Sequence, residues 1–557
     1  MRSRRLVISV AVIAATVGFI PGLAQADPIT SKVPGVTAPD VNRIKDAAHF
    51  PTFKSPAERS VRRALPGSKG VAAGNGGAVA QQATGNPDLA IVLNAASTTA
   101  HALDLQTQVL SADASLIVTI AWGDGTTDKA AATGPTVLSN SHTYAELGEY
   151  TIKVTVTDAV NQAEVVNEFT VMTAGSDFTP YAPTRLLDTR DGTGAVQGKV
   201  APYGSTRVKV GGNGGIPAGV TAVTLNVTVT NTTSGGHITA FAEDTERPAS
   251  SNVNFEAGQT VPNLVIVPVG KNGYVELANR GAQSVDLIAD VTGYFTRTAS
   301  SGYTPMTPAR FVDTREGLGT AQAKVKGRGV IATSISGLNG VPHGIKAVAL
   351  NVTVTNPEQA GHLAVFPGGG PIPTASNLNF TVGQTIANSV IVPVAPDGSI
   401  NIFNGAWSPT DVVVDVVGYY STDSKAAFMP MGPFRMVDSR EKNDWISGPL
   451  KARSYLPLPF YDGWGVEGCV LNATVTNTKG VGFLSVAPDS NAWVDYLNGT
   501  AKTPERPVSS ALNWTAGKTV PNLVQASSGK HNVIDFWNQG WSDIDLVVDL
   551  FGFYQST

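Results

Sequence analysis

The chain has 557 residues, of which 15% are charged against about 25% in an average soluble protein, and it carries 58 glycines and 35 prolines. At roughly one domain per 150 residues this length implies several domains, and the turn-forming content favours all-β modules. A net charge of −4 and a pI near 6.0 exclude the basic face that nucleic acid requires, so no nucleic-acid partner is expected.

The first 26 residues place Arg2, Arg4 and Arg5 before an apolar run from Leu6 to Ile20 and close on Ala24-Gln25-Ala26, the pattern of a secretory signal peptide. That run is shorter than the ~20 residues needed to cross a bilayer, and no later stretch approaches this length. The mature chain is therefore expected to be exported, with no membrane span. Its single cysteine, Cys469, can form no intrachain disulfide and opens an apolar strand, so it is expected in a core. The C-terminal Phe551–Thr557 carries no sorting motif, so any wall attachment would be non-covalent.

Residues 27–87 are rich in Ala, Gly, Pro and Ser without a sustained apolar period, as in a disordered linker. Within them Arg59-Ser60-Val61-Arg62-Arg63 is solvated charge, or alternatively a processing site. From 88 to 173 the pattern becomes alternating, with Ile152, Val154 and Val156 set against Thr151, Lys153 and Thr155, as a half-buried strand requires. Trp122-Gly123-Asp124-Gly125 precedes His142-Thr143-Tyr144 and Gly148-Glu149-Tyr150. In these motifs the segment resembles the PKD domain, an immunoglobulin-like β-sandwich. The resemblance implies a spacer or a protein- and glycan-contacting module without a catalytic group. Gly123 and Gly125 suit a tight turn capped by Asp124, and Trp122 and Tyr144 are expected in the core.

The remainder repeats itself three times. Arg185-Leu-Leu-Asp188-Thr-Arg190 returns as Arg310…Asp313-Thr-Arg315 and Arg435…Asp438-Ser-Arg440, and Gly258-Gln-Thr-Val-Pro-Asn263 recurs at 383–388 and 517–522. The aspartates at 188, 313 and 438 lie 125 residues apart, a period that suits a small domain rather than a solenoid repeat. The fold class is therefore all-β: tandem β-sandwich domains on a string, one immunoglobulin-like at 88–173 and three homologous units at 178–298, 303–423 and 428–557. These units resemble the Asp-Thr-Arg repeat modules of secreted actinobacterial proteins.

The Arg-x-x-Asp-Thr/Ser-Arg element could grip an anion or a substrate, but recurrence in every copy suits a fold-defining ion pair better. Asp286 and Asp290 share one strand face, as do Asp411 with Asp415 and Asp545 with Asp549. They are weak Ca²⁺ candidates, because two carboxylates fall short of the six to eight oxygens that ion takes. No cofactor is expected, with calcium left open. Asn226, Asn351 and Asn472, within apolar strands, suit backbone satisfaction rather than ligand contact. His237 and His362 are matched by Phe483 in the third unit, which argues against a ligand common to all three. Neither His-Glu-x-x-His nor Gly-x-Ser-x-Gly occurs.

Six of the eight tryptophans lie in the third unit, whose interval from Asn472 to Asn513 exceeds the matching Asn226–Asn254 and Asn351–Asn379 intervals. This insertion carries Trp493, Asp495 and Tyr496. Trp514, in the frame of Phe255 and Phe380, belongs to the core. Trp464, Trp493, Tyr496, Trp537 and Trp541 are the candidate ligand-binding residues, with loop packing as the alternative. The reading is a secreted or loosely wall-associated, non-catalytic protein that contacts extracellular polysaccharide or cell wall through its third repeat. A secreted protein partner, met as a protease inhibitor or assembly component, is the alternative; a hydrolase with unrecognised carboxylates comes third.

Overall fold

A computed structural model describes residues 50–65, 85–441, 446, 448–460 and 465–556. The expected signal peptide and most of the expected linker lie outside these residues. Strand dominates what is described; the helices are one short turn at Ala57–Arg59 and the segment Trp493–Asn498.

The first module is a sandwich of a four-stranded and a five-stranded antiparallel sheet. Trp122 and Tyr144 fill its core, each 1% exposed, and the Tyr144 hydroxyl donates to the Trp122 carbonyl at 2.9 Å. Gly123 adopts a φ of 94° and lies so close to Thr151 that a Cβ would meet its carbonyl oxygen at 2.8 Å. One expectation is corrected here. Part of the supposed linker is strand: Thr52–Ser55 pairs with Ala90–Ser97, and Val61–Ala64 with Ala163–Met172. Polar side chains make this possible without an apolar signal: Ser55 Oγ donates to Asn167 Oδ1 at 2.7 Å, and Arg62 to the Asn86 carbonyl at 2.8 Å. The basic cluster thus lies along a paired strand, not in a free segment.

Each of the three repeats is a sandwich of two four-stranded antiparallel sheets with identical strand order. In the first, the inner sheet holds Asp177–Asp188, Asp286–Thr296, Ala222–Thr230 and Val261–Pro268, and the outer sheet holds Ser205–Lys209, Tyr274–Asn279, Gly236–Ala242 and Val253–Phe255. Ala222–Thr230 alternates apolar and polar, yet every residue is buried. Val223, Leu225, Val227 and Val229 fill the sandwich core. The opposite face meets the other two repeats.

This closure replaces the expected domains on a string. The inner sheets gather around one pseudo-threefold axis, and a shared core combines Phe178 and Phe295 with Tyr303 and Tyr420 and with Phe428 and Tyr554. Tyr420 and Tyr554 share a hydrogen bond of 2.6 Å, and Gln525 donates to both at 2.8 Å. A cyclic set of amides lies further along the strands. Asn388 donates to Asn226 at 3.2 Å, Asn522 to Asn351 at 3.1 Å and Asn263 to Asn472 at 3.4 Å. Their oxygens accept from the backbone N–H of Leu264, Ser389 and Leu523 in neighbouring repeats. The edge strand of each inner sheet that begins at Val261, Ile386 or Val520 is thereby capped by an asparagine of another repeat, which satisfies a group that an exposed edge would offer to a foreign strand. The first module is attached as well, through Ala100 N–H to Gln555 at 2.9 Å and the bridge between Ser176 and Phe428.

Candidate functional site

The Arg-x-x-Asp-Thr/Ser-Arg element forms the same clasp three times. Arg185 reaches Asp290 with Nε at 2.9 Å and Asp188 with Nη1 at 3.0 Å, while Arg190 grips Asp188 at 2.8 and 2.6 Å. Arg310, Asp313 and Arg315 with Asp415, and Arg435, Asp438 and Arg440 with Asp549, repeat the arrangement. Asp188 is 1% exposed. The Arg190 hydrogen bonds hold its carboxyl below the usual range, whereas burial pushes Asp290 up against the pull of Arg185. Asp286 accepts from Thr189 at 2.9 Å and from Asn231 at 2.7 Å. The oxygens of the calcium candidates Asp286 and Asp290 are thus committed to protein donors, and among the described residues no group of three or more potential metal ligands occurs.

The third-repeat aromatics divide into two sets. Trp464 lies outside the described residues. Trp537 is 1% exposed and stacks on Tyr455 with ring centroids 4.4 Å apart, so it is core rather than binding surface. The insertion folds back over this pair. Asp489 anchors it, accepting from Asn491 at 2.7 Å and from the Tyr496 hydroxyl, and Asn491 donates in turn to the Lys502 carbonyl at 2.7 Å. Trp493, half-buried, packs 5.7 Å from Tyr496, and the Arg506 guanidinium lies 5.4 Å over Trp537. Beneath them Asp535 is pushed well above the ordinary carboxylate range, first by burial and then by Asp489. This pair of acids is sealed, at 4% and 1% exposure, under the folded insertion.

Trp541 is different: it is 64% exposed, with the Arg453 guanidinium 4.9 Å over its ring. The second repeat places Trp407 at the same point, 82% exposed with Arg328 at 5.5 Å. Both loops are pinned from below by a buried asparagine. Asn538 Nδ2 donates to the carbonyls of Leu450, Lys451 and Ser542, and Asn404 to those of Val325, Lys326 and Ser408, all at 3.0–3.2 Å. Each arginine sits in the left-handed region, φ 58° at Arg453 and 57° at Arg328, and donates to a carbonyl of the loop, Gln539 at 2.7 Å and Gly405 at 3.2 Å. The result is a flat indole covered on one side by a fixed cation and open to solvent elsewhere. Trp407 escapes a search for tryptophan-rich segments, but aligning Asn404-Gly-Ala-Trp407 with Asn538-Gln-Gly-Trp541 finds it. The first repeat has Ala282 there.

Residues 92–171 match the PKD domain family. The PKD module carries the stacked pair Trp122 and His142, 4.5 Å apart, with His142 bonded to Asp124 at 2.8 Å. Despite the cost of burial, hydrogen bonds from Thr126 and His142 hold the Asp124 carboxyl down to about 2. No curated protein matches the chain. Among solved structures, a SusE-like protein is 10% identical, over 36% of this chain and 96% of its own, at a TM-score of 0.12. Two structures, titled for Sulfolobus Turreted Icosahedral Virus and for the triple jelly roll fold of an archaeal virus, are each 10% identical over 68% of this chain and 91% and 90% of theirs, at TM-scores of 0.15. Function therefore has to be argued from the chain's own residues. No helix among the described residues is long and apolar enough to cross a membrane.

Proposed function

We propose that this is a secreted, non-catalytic binding protein that contacts extracellular polysaccharide or cell wall through Trp541 of the third repeat, with Trp407 of the second as a further contact. The observation that carries this reading is the pair of exposed, arginine-backed indoles on equivalent pinned loops. A flat ring stacks on the apolar face of a sugar, and a ring whose loop is already ordered loses little conformational entropy on binding. The leader-like residues 1–26 support export, and the rigid repeat body supports presentation of the loops rather than turnover of a substrate. A secreted protein would be met by the same rings.

Retention of the full chain on cell-wall and insoluble polysaccharide fractions tests this. Trp407→Ala with Trp541→Ala is expected to weaken retention by roughly tenfold or more, equivalent to about 1.4 kcal/mol or more, without shifting the unfolding midpoint, since both rings are exposed. Equal retention of the double variant and the parent would remove the glycan reading. Absence of retention on every fraction, with capture of one defined secreted protein that the double variant loses, would assign the rings to a protein partner.

A further inference from the structure

At the end of the pseudo-threefold axis where Val261, Ile386 and Val520 begin their strands, the three repeats line a solvent-open cavity of about 590 Å³, within the roughly 300–1,000 Å³ of small-molecule sites. Its wall repeats with the chain: Asn254, Asn379 and Asn513 occupy one equivalent position, and Gln259, Gln384 and Lys518 another. We propose that this axial cavity is a second binding site, for a neutral polyhydroxylated ligand of the size of a short saccharide.

The charge pattern selects neutrality. The only lining groups with full charge, Glu256 and Lys518, are paired with each other. At the remaining titratable group of the wall, His362, burial and then Arg328 lower the pKa and so disfavour a further positive charge. Unused hydrogen-bonding capacity selects hydroxyls. Thr381 and Thr515 bring hydroxyls to the wall. Gln259 and Gln384 spend their oxygens on the backbone N–H of Glu256 and Thr381, at 2.9 Å each, which leaves their amide N–H groups as donors. Amide donors beside hydroxyls that can also accept suit a group that both gives and takes hydrogen bonds, as a sugar hydroxyl does. Trp514 and Phe380 add apolar ring edges to the wall. A phosphate would face the Glu256 carboxylate and would have to compete with it for Lys518.

The site shares no residue with the exposed tryptophans, so it stands or falls apart from the proposed function. The test is calorimetric titration of the full chain with free neutral mono-, di- and trisaccharides of glucose, mannose, galactose, arabinose and N-acetylglucosamine, with glucose 6-phosphate as the charged control. Binding by at least one neutral sugar is expected. Thr381→Trp, an exposed position on the rim, should plug the cavity and weaken that binding by roughly tenfold or more, and Asn379→Ala should weaken it without filling space. Both variants are checked for an unchanged unfolding midpoint, and the Trp407→Ala, Trp541→Ala double variant should bind the free sugar as the parent does. Absence of binding by every neutral sugar, undiminished binding in both cavity variants, or tighter binding of glucose 6-phosphate would overturn the proposal.

Discussion

Burying a carboxylate is costly unless a cation and hydrogen bonds meet it, and the three clasps satisfy that condition through two arginines for each Asp188-type residue. Loss of either partner would leave a charge stranded in a closed setting, which is reason enough for the element to appear in every copy without a ligand. Asp535 has no such cation in contact and is instead placed beside Asp489. Burial and the nearby Asp489 favour the protonated form of Asp535, and Tyr496 donates to Asp489. Because its folded pKa lies above the unfolded value of about 3.9, Asp535 contributes stability that is fully present below that value and is lost as pH rises through the folded pKa. Asp535→Asn keeps the shape and removes the titration. The parent is therefore expected to lose stability relative to this variant as pH rises from below about 3.9, measured as urea midpoints across the range. Parallel midpoint curves would show that the pair does not hold its proton as argued.

Among the strands, the sequence signal and the structure part company at one kind of position. Alternation in Leu225-Asn-Val-Thr-Val locates the strand and its core face correctly, and the Gly-Asp-Gly turn and Trp122 locate the first sandwich. The asparagines of these strands do satisfy backbone groups as read, Asn226 on the Ser376 carbonyl and Asn472 on that of Ser251, but periodicity cannot tell that the partner lies in another repeat. Thr52–Ala64 is missed for a related reason, since two short edge strands need few apolar residues when a larger sheet supplies the pairing. For Trp537 the packing alternative holds, and sequence alone leaves the two readings open because a tryptophan beside an insertion has no periodic context that would show the insertion folding over it. The exposed Trp541 was legible, and the axial cavity was not, because its wall is assembled from three copies of one unremarkable loop. The asparagine caps can be tested directly. Asn388→Ala removes bonds to Leu264, Asn226 and Asn377 and leaves buried backbone groups unpaired, at about 1–3 kcal/mol for each. A lower denaturant midpoint of that order is expected; an unchanged one would mean that water or a shifted strand takes over the cap.

Three sandwiches that share one core do not behave as three independent domains. Excised, the third repeat would expose Phe428, Val470, Leu523, Phe551 and Tyr554, all buried on the axis, together with the strand edge that Asn263 caps. An uncovered apolar face next to an open edge strand favours self-association. The segment 426–557 alone is accordingly expected to form oligomers or aggregate, whereas 174–557 should remain monomeric and unfold in a single transition, with sedimentation velocity and denaturant titration as the measurements. The pseudo-threefold contacts make a further distinction: association of the excised repeat through its native surface should favour trimers, because each copy presents both the asparagine that caps and the edge that is capped. A stable, monomeric third repeat would show that the axial contacts are dispensable. It would also free each sandwich to orient its tryptophan loop alone, whereas the closed body holds Trp407 and Trp541 in one fixed relation, so that two weak stacking contacts on one polymer act at a high effective concentration.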